Sequence, residues 1–88
     1  MRLTFKLYAM LTDYLPSHVD GQIRKGNIIE LQIAEGTSVQ AMIDRFNLPP
    51  RLVQIVLVNG VFIPPERRAT HLLVEGDALA IWPPVAGG

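Results

Sequence analysis

The sequence predicts an α+β fold of two layers, a mixed four- to five-stranded sheet packed on one main helix. Three observations lead there. Near the start, Leu3, Phe5 and Leu7 alternate with Thr4, Lys6 and Tyr8, the period-2 signature of a strand with one buried face. One stretch carries the helical period, with Val39, Met42, Ile43 and Phe46 at i, i+3, i+4 and i+7, a single apolar stripe. The apolar runs after it are short, rich in β-branched residues and separated by turn signals, as strands are.

Taken in order, the first strand is expected over residues 3–10. Leu11 to Leu15 follows as a short turn of helix closed by Pro16, and residues 17–27, with Gly21 and Gly26, read as a loop. A second strand runs from Ile28 to Ala34, with Ile29, Leu31 and Ile33 on one face and Glu30 and Gln32 on the other. After the Glu35-Gly36 turn, Thr37 stands where a helix N-cap belongs, and Gln40 three residues later completes a capping-box pattern. The helix is expected over 38–47, ended by Asn47 and the Pro49-Pro50 pair.

Gln54 to Val58 reads as a central strand buried on both faces. Asn59-Gly60 is the strongest short hairpin signal, because both residues tolerate positive φ. It returns the chain through Val61-Phe62-Ile63 to Pro64-Pro65. Residues 66–74 are irregular, with Leu72 and Leu73 expected beneath the core and Arg67-Arg68 on a solvated turn. Glu75-Gly76-Asp77 turns the chain into the last strand, Ala78 to Trp82, with Leu79 and Ile81 inward and Ala80 and Trp82 outward.

At 88 residues the chain is one small domain, able to bury about 60–65% of its unfolded surface. A hydrophobic share of 49% against 18% charged residues excludes a disordered chain. Formal net charge is zero, so electrostatics give no reason to expect nucleic acid or an anionic membrane as partner. There is no signal-peptide pattern and no run of the ~18 apolar residues that a membrane span needs, which makes the cytoplasm the expected compartment.

Cysteine is absent, which excludes disulfides, thiolate zinc sites and a persulfide held by a side chain. His18 and His71, the two histidines, have no neighbouring ligands, so no metal site is expected. Asp13, Asp20 and Asp77 show no pairing that suits acid–base work.

The C-terminus, Pro83-Pro84-Val85-Ala86-Gly87-Gly88, is the distinctive stretch. Two prolines stiffen the exit from an apolar strand and hold the segment off the body. Two glycines leave the terminal carboxylate with no Cβ beside it. Six extended residues reach roughly 20 Å at about 3.3 Å each, a thin tip able to enter a narrow active site. The division expected is a folded domain over 1–82 and a flexible tail over 83–88. Strand parity adds a surface: Tyr8 and Trp82 face away from the helix-covered side, and Phe62 between Val61 and Ile63 joins them, an aromatic patch for a partner.

The element order, Val58-Asn59-Gly60 at the hairpin, Glu75-Gly76-Asp77 before the last strand and the Pro-Pro-Val-Ala-Gly-Gly end resemble the MoaD/ThiS sulfur carriers, which are ubiquitin-like β-grasp proteins. The Pro-Pro-Val before the glycines is more like the molybdopterin-synthase small subunit than the thiamine carrier. The resemblance implies that an E1-like adenylating enzyme of the MoeB/ThiF type uses ATP to adenylate Gly88. Sulfur from a persulfide donor then makes a thiocarboxylate, which serves molybdopterin (molybdenum cofactor) synthesis in a MoaE-like large subunit. The chain itself would bind no cofactor and act as co-substrate or non-catalytic subunit. It also implies that apolar positions of these strands dock both partners. The connection over 11–27 is longer than the compact version of the fold needs. Carriers of this kind also serve tungsten-cofactor, thiamine and other sulfur-transfer pathways, and a ubiquitin-like modifier joined to lysine through Gly88 has the same sequence requirements.

Overall fold

The computed structural model describes residues 1–84. Two strands from opposite ends of the chain, β1 (Arg2–Leu7) and β7 (Ala78–Trp82), lie parallel at the heart of a five-stranded sheet. β4 (Ile28–Gln32) is antiparallel outside β1, and β5 (Ile55–Val58) antiparallel outside β7, with β6 (Val61–Phe62) at the far edge. The order β4-β1-β7-β5-β6 is thus a mixed sheet, and α1 (Val39–Arg45) covers one of its faces.

The alternating residues of β1 explain that choice of face. Leu3, Phe5 and Leu7 are fully buried, while Thr4 and Lys6 stay partly open. Val39, Met42, Ile43 and Phe46 close over them from the helix side. The Phe5 and Phe46 rings meet at 4.9 Å between centroids, tilted by 34°, within the range of favourable aromatic pairs.

Several elements differ from the sequence expectations, each for a local reason. β1 stops at Leu7, because Ala9 takes φ 51° and turns the chain into a 3₁₀ helix over Ala9–Tyr14 that buries Leu11. The helix cap is Ser38, whose Oγ accepts the Ala41 N–H at 3.0 Å. Thr37 instead donates its hydroxyl to the Ala34 carbonyl, and Gln40 donates to Asp44 one turn on. α1 accordingly covers 39–45 rather than 38–47, and Asn47 at φ 55° ends it. The second strand closes at Gln32, though Ile33 N–H still reaches the Met1 carbonyl.

β5 is buried on one face only. Val56 and Val58 are buried, Leu57 is half-buried and Ile55 is 38% exposed, because the single helix leaves the other side of the sheet open. Ala80 faces that open side yet is buried; its methyl sits between Lys6 and Leu57 on the flanking strands, which screen so small a group. Of the two leucines, Leu73 is in the core while Leu72 is exposed. Arg68 is buried, with Nε donating to the Ile63 carbonyl at 3.1 Å and Nη2 without a partner. Arg68 does lie in a turn, but its guanidinium is buried rather than solvated. Burial lowers its pKa from the ordinary value, an effect that nearby Glu66 opposes.

The stretch expected as a loop over 17–27 contains a second, two-stranded sheet, β2 (His18–Val19) paired with β3 (Gln22–Ile23). Its turn is Asp20-Gly21, both at positive φ, the mirror-image geometry that suits a tight hairpin. Arg24 Nη1 donates to the Thr12 and Leu15 carbonyls, and Arg45 pairs with Asp20 at 2.7 Å. These bonds tie the hairpin to the 3₁₀ helix on one side and to α1 on the other.

Candidate functional site at the root of the C-terminal tail

β7 delivers the chain to one edge of the fold and releases it there. The Ile81 carbonyl accepts from Tyr8 N–H at 3.1 Å, and the Trp82 carbonyl accepts from Gln54 N–H at 3.0 Å. The strand is therefore gripped by β1 on one side and by the approach to β5 on the other, up to its last residue. Pro83 is buried and Pro84 is exposed, so only the second proline stands clear of the body. Val85, Ala86, Gly87 and Gly88 lie outside the described residues.

On the open face beside this exit, the rings of Tyr8 and Trp82 stack with centroids 4.0 Å apart and planes 9° from parallel. Both are partly exposed. The sheet register places Ile55 directly across from Trp82, and Leu57 two residues on, across from Phe62 in β6. Phe62 is 51% exposed and shares the face of Leu57, since Ile63 after it turns inward to the core. Tyr8, Trp82, Ile55, Leu57 and Phe62 thus form one apolar surface that begins at the root of the tail.

Sequence parity placed the three aromatics on the open face but missed Ile55 and the stack itself. A run of β-branched residues conceals which side of a strand is covered, and the stack depends on two strands from opposite ends of the chain lying side by side. The alternation of burial along a strand that follows a single helix was the available signal for Ile55.

Among the described residues the remaining polar side chains do not assemble a second centre. His18 is exposed, with Nδ1 3.1 Å from the Ser17 hydroxyl, and His71 lies in the turn before Leu72. Asp20 pairs with Arg45 and Asp77 is bonded within the fold. Among the described residues no group of three His, Asp or Glu side chains is placed to hold a metal ion, and no helix is long and apolar enough to cross a membrane.

A mixed five-stranded sheet grasping one helix, with its C-terminal strand central and a Gly-Gly end beyond it, defines a ubiquitin-like β-grasp protein. Residues 21–88 match the model of the ThiS family, and the chain belongs to that family of ubiquitin-like sulfur carriers. Among solved structures it is similar to SAMP1 from Haloferax volcanii, at 20% identity and a TM-score of 0.65, with all of both chains covered. It is also similar to a chain of the complex of subunits 1 and 2 of molybdopterin-converting factor from Helicobacter pylori 26695, at 15% identity and a TM-score of 0.58, again over the whole of both chains. At these identities the likeness is one of fold. No curated protein sequence matches the chain closely enough to count as a relative.

Proposed function

We propose that this carrier acts through a thiocarboxylate on Gly88 and donates its sulfur in molybdopterin synthesis, as the small subunit of molybdopterin synthase. The observation that carries the reading is the Pro83-Pro84-Val85-Ala86-Gly87-Gly88 end issuing from a strand whose last side chain belongs to an exposed aromatic surface. On this reading residues 1–82 are the folded domain, 83–88 are the reactive tail, and the cytoplasm is the compartment.

A carboxylate is a poor electrophile, so its oxygen must first leave as part of a better group. An E1-like adenylating enzyme supplies that step from ATP: the Gly88 carboxylate attacks the α-phosphate and pyrophosphate departs. The terminal sulfur of a persulfide donor then attacks the acyl carbon and AMP departs. Cleavage of the remaining sulfur–sulfur bond by a thiol frees the thiocarboxylate. The approach to the α-phosphate favours an end without side chains, since near-attack geometry tolerates little bulk. Apart from the Gly88 carboxylate itself, this chain supplies no base, nucleophile or metal to any of these steps. Its contributions are the tail and the surface of Tyr8, Phe62 and Trp82, which docks the adenylating enzyme and a MoaE-like large subunit in turn.

Intact-mass measurement tests the reading, after incubation with ATP, the adenylating enzyme and a persulfide donor. An oxygen-to-sulfur mass increase confined to the C-terminal peptide is expected. Adducts on lysines without that increase would replace the carrier reading with a protein modifier. Transfer to an acceptor other than a pterin precursor would move the carrier to the tungsten-cofactor, thiamine or another pathway.

A further inference from the structure

A cleft of about 660 Å³ lies between α1, the chain over 48–53 and the turn over 65–68. Ile43, Leu48 and Val53, all buried, line it together with Pro49, Pro50 and Pro65. The volume is in the range that holds small molecules, about 300–1,000 Å³. Apolar walls with a few polar groups among them are the usual construction of such sites. None of these residues belongs to the tail or to the aromatic surface.

Arg68 is the cation that lines this cleft. It is 6% exposed, and its Nη2 is the one buried side-chain polar atom among the described residues without a hydrogen-bond partner. Nε is already committed to the Ile63 carbonyl. The far edge of the fork is therefore left over, the kind of edge that meets the two oxygens of a carboxylate. The chain itself brings no carboxylate to it. Among the described residues the ion pairs are Arg2–Glu75 and Arg45–Asp20. Asp44 also lines the cleft, but its Oδ1 accepts from Gln40 Nε2 at 2.9 Å. A buried cation without a counter-charge carries a desolvation cost that an anion would offset. The lowered pKa of Arg68 has the same origin, and Glu66 opposes it without forming an ion pair.

We propose that this cleft binds a small organic monocarboxylate, its charged end on the free edge of Arg68 and its apolar body against Ile43, Leu48 and Val53. The surroundings set the charge of the ligand. One negative charge is balanced by Arg68, whereas a second would face Asp44 in the cleft and Glu66 near the guanidinium. A dianion such as phosphate is therefore disfavoured. The site stands whether or not the chain is a sulfur carrier, since it shares no residue with the tail or the docking surface.

The test is an amide-resolved NMR titration of the full chain with 4-methylpentanoate, 4-methylpentanamide and inorganic phosphate. Saturable shifts at Gln40, Ile43 and Asn47 are expected from the carboxylate, with half-saturation at about 1–5 mM for so small a ligand. The amide keeps the shape but loses the charge, and is expected to bind about tenfold more weakly or worse. Equal binding of the amide, tighter binding of phosphate, or shifts confined to residues outside the cleft overturns the proposal. So does saturation by a blocked peptide ending in a free leucine carboxylate but not by 4-methylpentanoate, which would give the site to a protein partner. Arg68→Gln places an amide nitrogen where Nε stood and removes the charge, and is expected to abolish the carboxylate shifts; their survival overturns the assignment. Where circular dichroism shows that variant unfolded, Asp44→Asn decides, since the residue is exposed and the new side chain can still accept from Gln40. Loss of the like charge is expected to tighten carboxylate binding about twofold or more, and an unchanged or weaker affinity overturns the proposal.

Discussion

Asn59 and Asp77 clamp two turns together across the edge of the sheet. Asn59 Nδ2 donates to Asp77 Oδ1 at 2.8 Å, Asn59 Oδ1 accepts from Ala78 N–H at 2.8 Å, and Asp77 Oδ2 accepts from Val74 N–H at 2.9 Å. Asp77 is buried. Each side chain therefore satisfies the other and a backbone group that the sheet leaves over. The hairpin at Asn59-Gly60 and the turn at Glu75-Gly76-Asp77 act as one unit that starts β7, the strand from which the tail departs.

Asp77→Ala removes the buried acceptor of the Asn59 amide and the Val74 N–H, both on exposed residues. A loss of about 1 kcal/mol is expected, the net contribution of typical hydrogen bonds where water can replace part of what is lost. Urea unfolding measures it, and a loss below about 0.5 kcal/mol would show that water takes over both bonds.

Phe5→Ala removes a fully buried ring together with its partner contact to Phe46. Such truncations cost about 3–5 kcal/mol, a large part of the stability of so small a domain. The expected outcome is a chain unfolded or nearly so at room temperature, seen by loss of the near-ultraviolet dichroism of Trp82.

The bonds that hold the 17–27 hairpin are unequal. The Asp20–Arg45 pair is exposed, with side-chain exposures of 64% and 37%, and exposed pairs contribute about 0.2–1 kcal/mol. Arg24 gives two charge-assisted bonds to the carbonyls of Thr12 and Leu15 in a half-buried setting, each of a stronger kind. Arg24→Met should therefore destabilise more than Arg45→Met, and only the second effect should shrink further in high salt. Equal losses from the two would overturn the ranking.

The tail and the aromatic surface separate in their effects. Gly87→Val is expected to abolish adenylation while the midpoint of thermal unfolding stays unchanged. Phe62→Glu and Trp82→Glu are expected to weaken binding to the adenylating enzyme and to the large subunit. Calorimetric titration with each partner checks this, and unaltered affinity for both would remove the docking role.

Much of this architecture was legible because its determinants are local. The alternation at Leu3, Phe5 and Leu7, the stripe from Val39 to Phe46 and the Asn59-Gly60 turn each express a short-range rule, and each kind of element formed at those residues, though β1 and α1 are shorter than the rule alone suggested. The hairpin at Asp20-Gly21 obeys the same rule as Asn59-Gly60, but its strands have two residues each and mixed polarity, so no alternation marked them. Ser38 rather than Thr37 caps α1 because either hydroxyl suits the role and one residue of register decides between them. Ile55 and the Tyr8–Trp82 stack depend on which strands are neighbours and which face is covered, and neither is encoded within a few residues. Arg68 escaped for the same reason: beside Arg67 in a turn, nothing local distinguishes the buried guanidinium from the solvated one.

The clamp on Asn59 also bears on the chemical lifetime of the protein. An asparagine followed by glycine ages readily, because the glycine amide nitrogen attacks the side-chain carbonyl carbon, expels ammonia and leaves a succinimide that water opens to an acidic residue. That attack requires the side-chain amide to swing toward Gly60. Here both of its polar atoms are held elsewhere, by Asp77 and by Ala78. The contact that joins two turns thus also shields the hairpin from slow deamidation, and a protein carrying Asp77→Ala would gain negative charge at position 59 on storage.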